Sequence, residues 1–286
     1  MTTNKISKVS IHGGHSGEFC HHAQDNLEDI IQLYIQKGFE WVGITEHIPP
    51  PNNELRYLDE IEAQLDQSFL EERFSKYFQK ARQLKIKYQK DITLFIGFEA
   101  EAYSGFIPHV RSLIRKYNPD FVVGSVHHVD DINFDFSQSF YNKAVEKAGG
   151  IIQLYERYFD IQFEMIQGIQ PEVIGHFDVI RIHDPLYPKH LNDPVIKKRI
   201  DRNLSLIRSK NLILDFNLRS LLKGADEPYI SSPILKKAKE LGIPIVPGDD
   251  SHGLKSVGLN VEHGIRLLQS FGINTNWQKP VSEKQL

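Results

Sequence analysis

"ITLFIGFE", residues 92–99, is a run of apolar residues that ends in a glutamate. The alternation expected of a strand that is wet on one face is missing. A near-continuous run rich in Ile and Phe instead suits a strand covered on both faces, as parallel strands are. Six other segments read the same way: KVSIH (8–12), EWVGIT (40–45), DFVVGSVHH (120–128), EVIGHFD (172–178), NLILDFN (211–217) and IPIVPGD (243–249). Helical spacing fills the intervals. Residues 26–37 place Leu27, Ile30, Ile31, Tyr34 and Ile35 on one face. Residues 194–209 and 231–241 repeat the pattern, the second ending before Gly242 as a C-cap. Strands alternating with helices imply an α/β fold with a parallel sheet and right-handed crossovers. With seven strands, one short of eight, the sheet is either a closed, distorted barrel or open.

Two insertions interrupt this alternation. Residues 52–90 are charged and helical in pattern, with apolar positions spaced for a hairpin against the outside of the sheet. Residues 129–170 open with the irregular stretch DDINFDFSQSF and continue as one long helix through YERYFDIQFEMI. The chain contains no internal repeat, low-complexity tract or linker, so residues 1–286 read as a single domain.

Composition narrows the function classes. A formal charge of −3 lacks the basic excess of a nucleic-acid binder. The lone cysteine, Cys20, excludes an intramolecular disulfide and fits a reducing compartment. MTTNKISKVSI has no apolar signal-peptide core, and no run of about 18 apolar residues exists to span a membrane. A soluble, cytoplasmic protein is expected, with no nucleic-acid or membrane partner and with its oligomeric state open.

The residues at the strand ends carry the chemistry. In sequence order the strands end in His12, with His15 following; in Thr45-Glu46-His47; in Glu99, with Glu101; in His127-His128; in His176 with Asp178; in Asn217 and Arg219; and in Asp249-Asp250-Ser251-His252. C-terminal strand ends gather at one face of such folds, so these groups converge in space. So many buried ionisable groups would repel one another or stay unsatisfied without cations. Imidazoles with carboxylates suit zinc, iron or manganese rather than calcium. The ligand count exceeds one ion, giving two or three, with Glu99 as a natural bridge. Adjacent ions of this kind serve phosphate-ester hydrolysis most often, then amide or lactone hydrolysis. No GxxxxGK[ST] loop, GxSxG elbow or GxGxxG fingerprint offers another chemistry. Cys20, flanked by potential ligands, is read as a small packing residue.

"GEFCHHA", "GITEH", "GFEAE", "GSVHH", "IGHFD", "LDFN" and "GDDSH", occurring in this order over nearly the whole chain, resemble the PHP (polymerase and histidinol phosphatase) superfamily. INFDFSQSF and YERYFDIQ resemble its monofunctional histidinol-phosphate phosphatase branch. The resemblance implies a distorted (β/α)7 TIM-like barrel with a trinuclear metal cluster at its C-terminal mouth. It implies nine ligands: His12, His15, His22, His47, Glu99, His127, His176, Asp250 and His252. It further implies a metal-dependent phosphomonoesterase that hydrolyses L-histidinol phosphate through metal-activated hydroxide, in histidine biosynthesis, with Glu99, Asp250 and His252 as its catalytic residues. The departure is the first motif, normally His-x-His but here His12-Gly-Gly-His15. A one-residue bulge at Gly13-Gly14 would return both imidazoles to one side; without it a two-metal site results.

Phosphate needs cations as well. Arg181 and Arg219 follow strands five and six and are expected to reach the mouth, where guanidinium pairs bidentately with phosphate. Lys223 and Lys255 are further candidates, and His128 is either a substrate contact or a support for a ligand. His252, Asp178 or a metal-bound water would protonate the leaving group, and Glu101, Asp249 or Glu46 would meet the substrate's ammonium. The competing readings are the same fold acting on another small phosphate ester (a nucleotide, sugar phosphate or phosphodiester) and a non-catalytic metal-binding module.

Overall fold

In the computed structural model, which describes residues 6–280, seven parallel strands follow the order β1 (Lys8–Ser10), β2 (Phe39–His47), β3 (Thr93–Glu101), β4 (Phe121–Ser125), β7 (Val173–Ile174), β8 (Ile213–Asn217) and β9 (Ile245–Gly248). The two-residue strands β5 (His128–Val129) and β6 (Ile132–Asn133) form a separate antiparallel hairpin. The chain just after β1 reaches across to β9. Ile11 N donates to Pro247 O at 2.9 Å, Asp250 N to His12 O at 2.9 Å, and His15 N to Ser251 O at 2.7 Å. These bonds bring the two sheet edges together, and the result is the near-closed, distorted barrel rather than an open sheet.

Period-two alternation layers the barrel interior. On one face β2 carries Trp41, Gly43, Thr45 and His47; β3 carries Phe95, Gly97 and Glu99; and β8 carries Ile213, Asp215 and Asn217. The lowest layer is apolar: Val9, Trp41, Phe121, Val173, Ile213 and Val246 pack together, with Phe95 against them. Above it the Phe121 ring occupies the space that two glycines leave. A Cβ on Gly43 would lie 2.6 Å from Phe121 Cζ, and one on Gly97 2.7 Å from Phe121 Cε1. Every ionisable group of the interior is therefore confined to the upper layer, at the strand C-termini.

Both insertions differ from expectation. The helix Gln67–Lys87 is no hairpin. It is the crossover between β2 and β3, and it buries Leu70, Phe74, Tyr77, Phe78, Ala81 and Leu84. Its Tyr77 hydroxyl lies 2.9 Å from Ile44 O and 2.6 Å from Gly97 O, on the two strands it joins. Residues 129–170 hold the hairpin and two helices, Gln138–Ala148 and Ile151–Gly168. Gly149 (φ +90°) and Gly150 (φ +141°) break what reads as one helix, because a right-handed helix cannot pass through those angles. Strand five is short: β7 stops at Ile174, and His176 and Asp178 lie in the loop and turn that follow. Among the described residues no helix is long and apolar enough to cross a membrane.

Gly97→Ala is expected to destabilise the fold by about 1–3 kcal/mol, the usual cost of overpacking a filled core. Chemical denaturation reads this directly, and an unchanged midpoint would contradict the packing of Phe121 over the glycine waist.

Candidate metal centre

The barrel strands deliver nearly all of the expected ligands to one place. β2 ends at His47 and β3 presents Glu99; His127 lies two residues beyond β4, His176 follows β7, and Asp250 and His252 follow β9. His12 and His15 come from the irregular segment after β1. That segment departs from the expected bulge: β1 stops at Ser10 and the chain bends at residues 11–12 before the glycines. Neither Gly13 nor Gly14 has a positive φ. They are needed for close approach instead. A Cβ on Gly13 would sit 2.3 Å from Gly43 O, and one on Gly14 would sit 2.7 Å from Ile30 Cγ2. The outcome matches the expectation all the same, because the His12 and His15 rings stand 5.7 Å apart and both face Glu99.

Glu99 is the centre of the arrangement, with 1 % of its surface exposed. Its Oε1 lies 3.0 Å from His176 Nε2 and 3.4 Å from His127 Nε2. Its Oε2 lies 3.3 Å from His12 Nε2, 3.3 Å from His47 Nδ1 and 3.7 Å from His15 Nε2. Asp250 Oδ1 stands 3.3 Å from His15 Nε2. Three groups have ligand atoms within 4.8 Å of one another: Glu99, His127 and His176; His12, His15 and Asp250; His22, His47 and His252. Together they use all nine expected ligands. Two overlapping groups add Glu101 beside His47 and His127, and Cys20 beside His15 and His47.

The donor chemistry fits transition-metal ions. His12 Nε2, both nitrogens of His15 and Asp250 Oδ1 are buried without a hydrogen-bond partner, a costly state unless a cation accepts their lone pairs. His127 Nε2 and His176 Nε2 face each other at 3.0 Å, a contact that two N–H groups could not make. Burial opposes ionisation of Glu99 and of Asp250. The positive imidazoles nevertheless outweigh it, His12 foremost, and hold both carboxyls well below the usual range. The histidines divide. Burial, with the charge of His47, pushes His15 down to about 4, whereas His47, despite burial, is drawn up to about 9 by Glu99 and Glu101. These imidazoles cannot all hold protons in one space, and imidazoles crowded around carboxylates are the donor set of a metal site.

Further groups orient these ligands. Asp215 Oδ2 lies 2.9 Å from His12 Nδ1, Glu101 Oε1 2.9 Å from His47 Nδ1, and the Asp250 carbonyl 3.1 Å from His252 Nδ1. Asn217 Nδ2 donates to Asp215 and to Asp250 Oδ2 at 2.9 and 3.1 Å. Contacts of this kind fix the ring that a metal sees. Asp215 escaped the sequence reading because it lies within an apolar run, and only its inward position on β8 gives it away. Two carboxylates expected to meet a substrate ammonium are engaged elsewhere: Glu46 accepts from Ser16 N and Oγ, and Asp249 from Tyr34 Oη and Gly258 N. Glu101, the third, is occupied by His47 and is off the cavity wall.

Seven of the nine expected ligands, all but His12 and His15, line a cavity whose wall includes Arg219, Lys223, Tyr57 and Tyr229. Arg219 spends one donor on the Asp250 carbonyl at 2.8 Å. Arg181 is not on this wall. Its guanidinium is buried, donates to the Glu227 and Pro228 carbonyls at 3.0 and 2.7 Å, lies 3.3 Å from Asp178 Oδ2, and stacks between Tyr187 and Tyr229. With its charge neutralised by Asp178 and its donors spent on backbone carbonyls, it is withdrawn from the cavity where phosphate binding was expected. Asp178, buried against Arg181 and Ser231 N, is likewise withdrawn from the cavity, which leaves His252 as the side chain on the wall among the expected proton donors. His128 sits behind Tyr57 and Tyr103 rather than on the wall, and Lys255 is also off it. Cys20 is buried, its Sγ 3.2 Å from His22 Nε2, and burial pushes its thiol well up, so it packs as a protonated group.

Asp215→Asn is expected to weaken metal binding about 10–100-fold, the usual effect of losing a carboxylate behind a ligating imidazole. Competition with a chromogenic chelator measures this, and an unchanged affinity would contradict the role assigned to the Asp215–His12 contact.

The comparisons with known proteins agree with this fold. A family model described as "PHP domain" matches residues 13–219. The probable histidinol-phosphatase of Schizosaccharomyces pombe is 37% identical over 271 residues, covering 93% of this chain and 88% of that protein. A histidinol-phosphatase of Saccharomyces cerevisiae is 28% identical, covering 87% and 84%. The crystal structure of the putative histidinol phosphatase from Listeria monocytogenes superposes with a TM-score of 0.79 over 90% of this chain and 99% of that one, at 26% identity. That of histidinol phosphate phosphatase from Lactococcus lactis, complexed with zinc, L-histidinol and phosphate, superposes with a TM-score of 0.73 over 94% and 95%, at 21% identity, and speaks for the fold. A barrel brought near closure between β1 and β9, the nine expected histidines and carboxylates gathered around Glu99, and a family model that matches most of the chain lead to one conclusion: this chain belongs to the PHP domain family.

Proposed function

We propose that this protein is a metal-dependent phosphomonoesterase that hydrolyses L-histidinol phosphate to L-histidinol and phosphate, a step of histidine biosynthesis. The observation that carries the reading is the central carboxylate of Glu99, flanked on each oxygen by imidazoles and opening on a cavity walled by Arg219 and Lys223. The activity of the S. pombe and S. cerevisiae relatives supports the substrate. His12, His15, His22, His47, Glu99, His127, His176, Asp250 and His252 would hold two to three ions of zinc, iron or manganese, with Glu99 shared between groups; the zinc of the L. lactis protein supports this. Bound ions supply Lewis acidity, neutralising phosphate oxygens and acidifying water.

The chain's own groups do the rest. Glu99 and Asp250 stay ionised in their buried positions and balance the cationic charge. Arg219, fixed by the Asp250 carbonyl, keeps further guanidinium donors for phosphate oxygens, whose charge grows as the ester breaks. Lys223 adds a second positive charge on the same wall. Asp215 and Glu101 keep His12 and His47 turned toward the floor.

Phosphate release from a panel of L-histidinol phosphate, nucleoside monophosphates, sugar phosphates and a phosphodiester tests the substrate. A strong preference for histidinol phosphate is expected, and a preference for another ester would move the protein to a different pathway. Glu99→Gln should abolish hydrolysis and lower bound metal, because a shared anion becomes a neutral amide; full metal content with retained turnover would refute its central place. Arg219→Ala should raise KM about tenfold or more, the loss of a charge-assisted contact. Unchanged KM and kcat would leave Arg219 as a support for Asp250 alone.

A further inference from the structure

Resting on the histidinol-phosphatase reading, we infer that Asp135 binds the ammonium group of the substrate. Among the described residues four carboxylates line the cavity: Asp59, Glu99, Asp135 and Asp250. Three of them face imidazoles of the metal centre. Glu99 lies among five, Asp250 Oδ1 is 3.3 Å from His15 Nε2, and Asp59 Oδ2 is 3.9 Å from His22 Nδ1. Asp135 is the exception. Its side-chain hydrogen bond is from Asn133 Nδ2 to Oδ1, at 3.1 Å, which leaves Oδ2 free to accept. The carboxylates expected for this task, Glu46, Asp249 and Glu101, are all consumed elsewhere.

The loop that presents Asp135 is firmly held. Phe134 is fully buried and packs edge-on against Tyr141 and Tyr158, with ring centroids 6.4 and 5.8 Å away. Ser137 caps the next helix by accepting from Phe140 N at 3.3 Å. Asn133 ties the loop to the His127 carbonyl at 3.4 Å, next to the metal centre. A carboxylate fixed in this way loses little freedom on binding a cation. Its position also suits the substrate. In L-histidinol phosphate the ammonium-bearing carbon adjoins the phosphorylated CH2, so the ammonium's partner must share one cavity with the phosphate's cations. Asp135 shares that wall with Arg219 and Lys223, and Phe136 beside it stands at the rim, 44 % exposed, where the imidazole end of the substrate would project.

The test compares L-histidinol phosphate with its deamino analogue, 3-(imidazol-4-yl)propyl phosphate, in the wild-type metalloenzyme and in Asp135→Asn. The wild type should favour the amino substrate in kcat/KM by about 10–100-fold, as expected for a charged hydrogen bond. In Asp135→Asn that preference should fall to near one, with analogue turnover, bound metal and melting temperature unchanged. A variant that keeps the preference, a wild type that shows none, or an equal loss on both substrates would overturn the assignment, the last by pointing to the phosphate end through Lys223. Failure of the wild type to hydrolyse histidinol phosphate would instead sink the parent reading along with this one.

Discussion

A single buried carboxylate governs this molecule. Glu99 lies on the inner face of β3, almost fully buried at the base of the cavity, with His127 and His176 at one oxygen and His12, His15 and His47 at the other. An isolated carboxylate in that position would cost several kcal/mol. It persists because the fold supplies opposite charge from several strands at once, and the strands must close into a barrel for those charges to meet. Closure depends on the segment 11–15 threading between β2 and β9, which glycine at 13 and 14 makes sterically possible. The glycine waist filled by Phe121 and the apolar layer beneath it then keep the ionisable groups at the mouth.

Around that centre the polar side chains fall into distinct roles set by their surroundings. Asp215, Glu101 and Asn217 hold His12, His47 and Asp250; Glu46 and Asp249 are spent on backbone amides and hydroxyls. Arg181 shows how far position decides role. Although it follows a ligand-bearing loop, it is buried between Tyr187 and Tyr229 and fastens the Glu227–Pro228 backbone that leads into the cavity wall at Tyr229. Arg219, from the next strand end, remains at the surface of the cavity. The two arginines have similar sequence settings and opposite environments.

Much of this was legible in the sequence. Near-continuous apolar runs ending in His, Asp or Glu located the strands and placed seven of the nine expected ligands at their ends; His15 and His22, in the loop after the first strand, needed the family resemblance. The parts that were not legible share a physical cause: they depend on what a residue packs against. Helix 67–87 looks like an insertion because its length and charge hide that one face covers β2 and β3. Gly149-Gly150 was a helix stop that the long apolar periodicity of 151–168 obscured. Asp215 was hidden by its apolar neighbours, and the free oxygen of Asp135 emerges only once every other carboxylate's partner is known.

The most direct test of Glu99's central place is anomalous diffraction at the zinc absorption edge, from crystals of the protein loaded with zinc. Peaks on both sides of the Glu99 carboxylate are predicted, one beside His127 and His176 and another beside His12 and His15. A map with no peak near Glu99, or with zinc bound only at the protein surface, would contradict the assignment of this histidine-rich floor as a metal centre.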